Sequence, residues 1–402
     1  MHRRPVVPRV PEQHPRFSIV TPSLNQKGHI SEAIESVLNQ EGDFEIEYFV
    51  MDGGSTDGAA EIIRSYAELV QTGRWPCKCR GVRMEWVSEK DDGQTAAINK
   101  GLRKATGCFA AFINSDDAYL PGAFARVAHE FKEHPRVDFV HGDGDVVDHA
   151  GQTIWPWLSR PYKHSVMTSY HFLWNEFTNY IMQQSTFWRA SVHNRIGFLD
   201  ETLHFAMDQE YWVRSGQSGL NWRHVPYKFA RFRMMPGTKS TSDPMVFWGD
   251  SLELFRRYRG VRRLPIFFGY YSFNAAKHAG FDLNRARAVQ VELLQRWAHL
   301  PEAERCLLQI QALRGFALGC FLVANELQKQ GRYAEAALAI ERGREESPSM
   351  AQHPIALFSR LKQRVQGRAA ASLDRLLDRI ALLYRGNFVD YRYRRQAAPR
   401  TS

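Results

Sequence analysis

Hydrophobic and polar residues follow two alternating rhythms through the first part of the chain. Phe17-Ser18-Ile19-Val20 is a short apolar run that meets Thr21-Pro22, which predicts a buried strand ending at the proline. Ile30, Ala33, Ile34, Val37 and Leu38 then recur every three or four residues, as one face of a helix does. The pair repeats. Residues 46–51 predict a strand, and Ile62, Ile63, Tyr66 and Leu69 align on a helix. Residues 72–82 read as a loop, 83–87 as a strand, and Ala97, Ile98, Gly101, Leu102 and Ala105 as a helical face. A strand at 109–113 precedes a helix over 121–134. Strands alternating with helices of this length build βαβ units and a parallel sheet.

The rhythm weakens after residue 136. Residues 137–147, followed by Asp148-His149-Ala150-Gly151, predict a hairpin strand and its turn, and a Trp- and Tyr-rich stretch follows at 155–190. Asp143-Gly144-Asp145 lies within that strand. It lacks calcium-loop spacing, since position 147 is Val and no loop-ending Glu follows. From about residue 245 the pattern is helical and basic. Within it, residues 316–348 are similar to one tetratricopeptide unit, with Gly331, Tyr333, Ala336, Ile340 and Pro348 near that repeat's usual places. Such units need neighbours to bury their faces, so an ordinary helical hairpin is the competing reading. The organisation expected is a disordered tail over 1–16, an α/β domain over 17–244 and a helical region over 245–402.

Composition narrows the classes. A chain of 402 residues has room for two or three domains, and 44% apolar content supplies a sizeable core. The 24% of charged residues exclude a mainly disordered or fibrous chain. A net charge of +10 suits phosphate-bearing or membrane-surface partners. Cys77, Cys79, Cys108, Cys306 and Cys320 are too scattered for a disulfide framework, which fits a reducing cytosol. Cys77-Lys78-Cys79 has no second pair to complete a metal site and reads as a loop. His2-Arg3-Arg4-Pro5 lacks the apolar run of a signal peptide. The most apolar stretches, 264–273 and 315–324, are about half the ~20 residues of a membrane span.

Chemistry concentrates where predicted strands end. Asp52-Gly53-Gly54-Ser55-Thr56-Asp57 follows one, and Asn114-Ser115-Asp116-Asp117 follows another. In an open α/β sheet, ligands bind outside the carboxyl ends of strands. Further motifs come in order: Val20-Thr21-Pro22-Ser23-Leu24-Asn25, Ser88-Glu89-Lys90-Asp91-Asp92-Gly93, Ala97-Ile98-Asn99-Lys100-Gly101, Gln184-Ser185-Thr186-Phe187-Trp188-Arg189 and Met207-Asp208-Gln209-Glu210-Tyr211-Trp212. In this order, residues 17–240 resemble glycosyltransferase family 2. That resemblance implies the glycosyltransferase A fold, a Rossmann-like mixed α/β sheet with flanking helices, to which the helical C-terminal region is added.

The resemblance implies a metal-dependent, inverting transfer of sugar from a nucleotide diphosphate donor. By it, Asp52 contacts the imide N–H of uracil, so a UDP-sugar is favoured, although guanine also offers a ring N–H. Thr21, Pro22 and Asn25 line the same pocket. Asp116 and Asp117 form the metal site for Mn²⁺ or Mg²⁺, with Asp116 also near the ribose and Asn114 where many members carry an aspartate. A cation there stabilises charge growing on the diphosphate. Asp92, Gly93, Asn99 and Lys100 lie beside the donor, at a helix N-terminus suited to phosphate. Asp208 is the expected general base, because an inverting transfer needs one carboxylate to take the acceptor proton. Glu210 competes for that role. Gln184 and Trp188 shape the acceptor side, with Trp188 also a natural core residue. Arg233 and Lys239 stand where related sequences close over the diphosphate, but a histidine usual there is Met235.

The acceptor implied is a hydroxyl of a glycan or lipid-linked glycan, in bacterial surface polysaccharide synthesis. The basic and aromatic segment 256–271 suits contact with an anionic bilayer, which would make the protein cytoplasmic or peripheral on the inner face of the membrane. No nucleic-acid module is recognised, so nucleic acid is not an expected partner. Two rivals share features of the pattern. A sugar nucleotidyltransferase would carry a Gly-rich basic loop near the first strand, where Thr21 to Gly28 has only Lys27 and one Gly. A non-catalytic partner-binding protein would keep the fold and lose the acids.

Overall fold

The structure, a computed structural model, describes residues 14–168, 180–234, 244–259, 264–365 and 372. The chain forms two compact units, residues 1–167 with 179–236, and residues 168–178 with 237–402.

The first unit is built on a nine-stranded mixed sheet. Its strands are β1 (Arg16–Ser23), β2 (Glu45–Asp52), β3 (Gly81–Ser88), β4 (Phe109–Phe112), β5 (Ala118–Tyr119), β6 (Phe139–Val147), β7 (Thr153–Trp157), β8 (Thr186–Arg189) and β9 (Trp222–Arg233). They lie in the order β3-β2-β1-β4-β8-β6-β9-β5, with β7 paired to β6. The alternation predicted from the sequence supplies the parallel part, β3-β2-β1-β4. Its connections are helices α1 (Ile30–Leu38), α2 (Ala59–Gln71) and α3 (Gln94–Lys104). Every residue of β1 and β2 after the first is buried, as expected of strands covered on both faces. Helices α4 (Ala123–Glu133), α5 (His164–Met167), α6 (His193–Ile196) and α7 (Met207–Gln217) follow.

Aromatic side chains knit the two halves of the sheet. Phe17 on β1 stacks on Phe124 of α4 at 4.8 Å and meets Phe109 and Phe187 edge-on or tilted. Phe139, Trp212 and Trp222 form a second cluster, with Phe139 and Trp222 stacked at 4.2 Å. Asp143-Gly144-Asp145 lies within β6 and binds no calcium-loop geometry. Asp143 accepts from Ser159 N and Asp145 pairs with Lys228. A side chain at Gly142 or Gly144 would collide with Phe229 or Met182.

The topology decides where chemistry can gather. Both β4 and β6 are antiparallel to β8, so they run the same way, and β9 is parallel to β6. The carboxyl ends of β1, β2, β3, β4, β6 and β9 therefore share one edge.

The second unit is helical, with α8 (Pro244–Arg259), α9 (Leu264–His278), α10 (Leu283–Gln295), α11 (Glu302–Lys329), α12 (Tyr333–Glu346) and α13 (Pro354–Val365). Helices α9 and α11 approach closely because both carry glycine at the crossing. A Cβ on Gly315 would stand 2.2 Å from the Phe268 Cβ, and one on Gly319 2.9 Å from the Gly269 carbonyl oxygen. Gly331, at φ 78, turns the chain between α11 and α12, and Ala336 and Ile340 pack in the core. The hairpin similar to a tetratricopeptide unit is thus part of a larger helical stack whose first helix runs from Glu302.

Two expectations change here. Four aromatic residues of segment 256–271, Phe267, Phe268, Tyr270 and Tyr271, are buried in the core. Arg256 and Arg257 donate to Glu253, and Arg256 also pairs with Glu304. By sequence, the most apolar stretches fall short of a membrane span. By length and composition, α11 is long and apolar enough to cross a membrane, but most of its apolar window is buried within the protein.

Burial opposes the charge on Glu253, yet hydrogen bonds from Arg256, Arg257 and Trp297 outweigh it and hold the carboxyl at about 2. A carboxyl depressed in the folded state stabilises it above its unfolded pKa, and the gain is lost as pH falls toward the folded value. Glu253→Gln should therefore lower the melting temperature at pH 7. Between pH 4.5 and about 2, acid should weaken the variant less than the wild type. Thermal melts across that range check this. Gly315→Ala should destabilise the second unit by about 2 kcal/mol in urea unfolding, because overpacking outweighs the gain in helix propensity.

Candidate active site

Four loops meet at the shared edge and are tied to one another. Asn25 N donates to Ser55 Oγ (2.8 Å), and Asn25 Oδ1 accepts from Thr56 N (2.9 Å). Asn25 holds φ 52, a left-handed conformation that asparagine tolerates better than most residues. Ser88 Oγ at the end of β3 donates to Asp52 Oδ2 (2.6 Å). Gln94 Nε2, in the first turn of α3, donates to Asn114 Oδ1 (2.6 Å) in the loop after β4.

Asp52 is buried at the end of β2. Its Oδ2 also accepts from Gly54 N (3.2 Å) and Ser55 N (2.9 Å), and its Oδ1 accepts from Ser55 Oγ (2.5 Å). It thus holds the Gly53–Ser55 turn, with two serine hydroxyls among its partners. Thr21 is buried and accepts from Tyr48 OH (3.0 Å), and Pro22 is buried beside it. Of the predicted pocket loop, Asn25 is exposed and Thr21 and Pro22 form its base.

The two adjacent aspartates have different fates. Asp117 is 2% exposed, and three donors occupy its carboxylate: Arg233 N at 2.8 Å, Gln184 Nε2 at 2.7 Å and Asn114 Nδ2 at 3.2 Å. Burial and the neighbouring Asp116 push its carboxyl well above the usual range, against those donors. Asp116 is partly buried, and among the described residues its carboxylate accepts only from its own backbone N–H. Burial raises it too, while His29 and Arg233 draw it down. The Asp117 carboxylate is thus occupied by donors from three segments, while that of Asp116 has no side-chain donor among the described residues.

Arg233 is also scaffold. Its side chain is 3% exposed. Nε donates to the Asp116 carbonyl, Nη1 to the carbonyls of Asp148 and His149, and Nη2 to the Glu32 carboxylate. It fastens the ends of β4, β6 and β9 together. Lys239 lies outside the described residues.

Asn99 is fully buried and turns away from the edge. It donates to the Leu199 carbonyl (2.8 Å) and Glu201 Oε1 (2.8 Å) and accepts from Leu199 N (3.1 Å). Thr95 Oγ1 donates to the Leu203 carbonyl (3.0 Å). These bonds staple loop 199–206 to α3, so that α7 starts near the α3 N-terminus. His204 is the residue nearest to Gly93, at 3.9 Å from where a Cβ would stand. Gly93 has φ 109, which favours glycine. Asp91 accepts from Gly93 N (2.9 Å), while Asp92 is exposed in the same loop. Lys100 pairs with Glu89 beyond the end of β3.

Asp208 occupies the first turn of α7, partly buried, and accepts from Gln209 N (2.7 Å). Glu210 is not its equal. It is buried and held by Arg214, whose guanidinium also donates to the carbonyls of Ile196 and Phe198. Gln184 is buried and donates to Asp117 Oδ2. Trp188 is core, its indole N–H donating to His193 Nε2 (2.9 Å), and burial holds that imidazole neutral with a pKa of about 4.

Several residues at the edge escaped the sequence reading. Ser23 Oγ is buried next to Asp52 in register and has no hydrogen-bond partner among the described residues. Ser55, Ser88 and Gln94 tie the loops, and His29 and Glu32 enter from the start of α1. Ser55 and Ser88 sit inside motifs already noted, so their spacing could have flagged them. His29 and Glu32 carry no such signal.

Asp117→Ala should cost about 3 kcal/mol in urea unfolding, because it leaves buried donors without an acceptor. Asp116→Ala should stay within about 0.5 kcal/mol of wild type.

Comparison with known proteins places this geometry. Residues 18–193 match the family described as Glycosyl transferase family 2. The chain is 28% identical over 238 residues to the PGL/p-HBAD biosynthesis glycosyltransferase Rv2957 of Mycobacterium tuberculosis, covering 56% of this chain and 80% of that one. It is 26% identical over 216 residues to chondroitin synthase of Escherichia coli, which covers 52% of this chain and 28% of that one. Among solved structures, S. aureus TarS 1-349 in complex with UDP-GlcNAc superposes with a TM-score of 0.51 at 19% identity, covering 79% of this chain and 93% of that one. Residues 18–193 form a glycosyltransferase family 2 domain, and the chain is a glycosyltransferase with the glycosyltransferase A fold.

Proposed function

We propose that the chain is an inverting transferase that moves a sugar from a nucleotide diphosphate donor to a hydroxyl of a glycan or lipid-linked glycan. The observation that carries this reading is the Asp116 carboxylate. It stands at the shared sheet edge, raised by burial and without a side-chain donor among the described residues, beside loops that can take a nucleotide.

The residues assume separate tasks. Asp52 can exchange a serine hydroxyl for a base N–H without losing its backbone donors, and the orphan Ser23 hydroxyl lies beside it. A uracil imide fits that exchange, so a UDP-sugar is the favoured donor, in keeping with the UDP-GlcNAc bound by TarS. The first turn of α3, opened by Gly93, offers backbone N–H groups to phosphate. Among the described residues no three His, Cys, Asp or Glu side chains converge, so a metal would take Asp116 alone from them. That suits Mg²⁺ or Mn²⁺, which bind through one or two carboxylates together with substrate phosphates and water. Bound there, the cation would offset charge on the departing diphosphate. Asp117, Arg233 and Gln184 hold Asp116 in place.

Asp208 takes the proton from the acceptor hydroxyl as its oxygen attacks the anomeric carbon. No covalent enzyme intermediate forms, and the anomeric configuration inverts. The Asn99 staple sets the height of α7 and so of Asp208. Bacterial surface polysaccharide or glycolipid synthesis on the cytoplasmic side is the setting we assign, in line with the biosynthetic names of the relatives.

Calorimetry with UDP, GDP, TDP and CMP, with and without Mn²⁺, tests the donor. Metal-dependent binding of UDP that disappears in Asp116→Ala is expected. Equal binding by wild type and variant would remove Asp116 from the site. Asp208→Asn should bind UDP normally yet lose about a thousandfold in transfer rate. Undiminished transfer by that variant would assign the base elsewhere.

A further inference from the structure

Away from the sheet edge, the loop between α2 and β3 carries two cysteines in side-chain contact. Cys77 is exposed, Cys79 is half-buried, and their sulfurs lie 3.5 Å apart. The loop is anchored on both sides of the pair. Gly42 N donates to the Lys78 carbonyl (3.3 Å), and Arg80 N donates to the Phe44 carbonyl (2.9 Å). The thiols donate along the chain, Cys77 Sγ to the Cys79 carbonyl and Cys79 Sγ to the Gly81 carbonyl. Such bonds are weak, because a thiol is a poor donor. Little therefore opposes a movement of the sulfurs toward each other, and a disulfide of about 2.05 Å needs a further approach of roughly 1.5 Å.

We infer that Cys77 and Cys79 form a reversible oxidation site that closes into a Cys-x-Cys disulfide when the protein meets a peroxide. The two sulfurs have unequal roles. Burial and the neighbouring Cys77 push the Cys79 thiol up to about 12, so it is poorly ionised and shielded. Exposed Cys77 is the sulfur that peroxide reaches first. Its thiolate attacks the O–O bond, forming a Cys77 sulfenic acid and releasing hydroxide, which takes up a proton to leave as water. Cys79 gives up its proton and attacks the Cys77 sulfur, expelling a second hydroxide that leaves as water. Each sulfur loses one electron and the two peroxide oxygens gain one each, so two thiols and one peroxide become one disulfide and two waters. A ring closed across one intervening residue is tight, and a strained, exposed disulfide is readily reduced by thiols. Reversibility follows from that strain.

The chain supplies its own readout, because trypsin cuts after Arg74, Lys78 and Arg80. Reduced full-length protein is treated with equimolar hydrogen peroxide, denatured with a thiol blocker, and digested. The result expected is loss of two of the five thiols, in a chain that runs as a monomer without reductant. The peptides 75–78 and 79–80 should run joined until dithiothreitol separates them. Cys79→Ser should instead yield a Cys77 sulfenic acid that dimedone traps, and Cys77→Ser should leave Cys79 unmodified. Recovery of both peptides separately, each with its blocker, would overturn the proposal. So would a pair joined only between chains.

Discussion

The Asp117 carboxylate is the point on which the reactive edge depends. Three donors converge on it, from the end of β9, from the turn before β8 and from the loop after β4. These segments are distant in sequence, yet one buried carboxyl group fixes their mutual positions. Arg233 repeats the arrangement with opposite charge, reaching the carbonyls at the ends of β4 and β6 and the Glu32 carboxylate. Buried charges of this kind are tolerated when hydrogen bonds satisfy them, and removal of one partner is costly because the others stay buried. The pair therefore specifies one geometry for the edge. Within that geometry Asp116, the adjacent residue, is left without a side-chain donor among the described residues.

A second constraint sets where α7 begins relative to α3. Helix α3 carries the Gly93 turn at its start and Asn99 within its body. Asn99 uses both ends of its carboxamide on loop 199–206, and Thr95 adds a third bond to that loop. The same rigid helix thus presents its N-terminus at the edge and fixes the origin of α7. Asp208, in the first turn of α7, is thereby held on a helix fixed by these bonds, and precise placement of reacting groups is where much of enzymatic rate enhancement originates.

The helical unit follows different physics. Its tightest contact is made where glycines let α9 and α11 approach without side chains between them. Arg256, Arg257 and the aromatic residues of α9, which in sequence resemble part of a bilayer-binding stretch, make internal contacts. The aromatic rings fill the core, and Glu253 gathers Arg256, Arg257 and the Trp297 indole. A cluster of basic and aromatic residues has the same composition whether it faces a lipid surface or a helical core. Only the helix phase against its neighbours distinguishes the two.

The sequence by itself determined the alternation of strand and helix, and with it the parallel half of the sheet. Motifs at strand ends also located the edge, because a parallel strand delivers its carboxyl end to the same side as its neighbours. Asp52, Asp116 and the Gly93 turn were legible for that reason. What each carboxylate does was decided by tertiary structure. Asp116 and Asp117 are adjacent and chemically alike. Yet Asp117 finds donors 67 and 116 residues away, while the Asp116 carboxylate finds no such donor among the described residues. Asn99, Gln184, Glu210 and Arg233 likewise carry functional motifs in sequence and structural duties in space. The partners that bury them come from segments whose approach no local pattern encodes. Hydrogen bonding saturates a polar group, and only the folded chain shows which groups have been saturated.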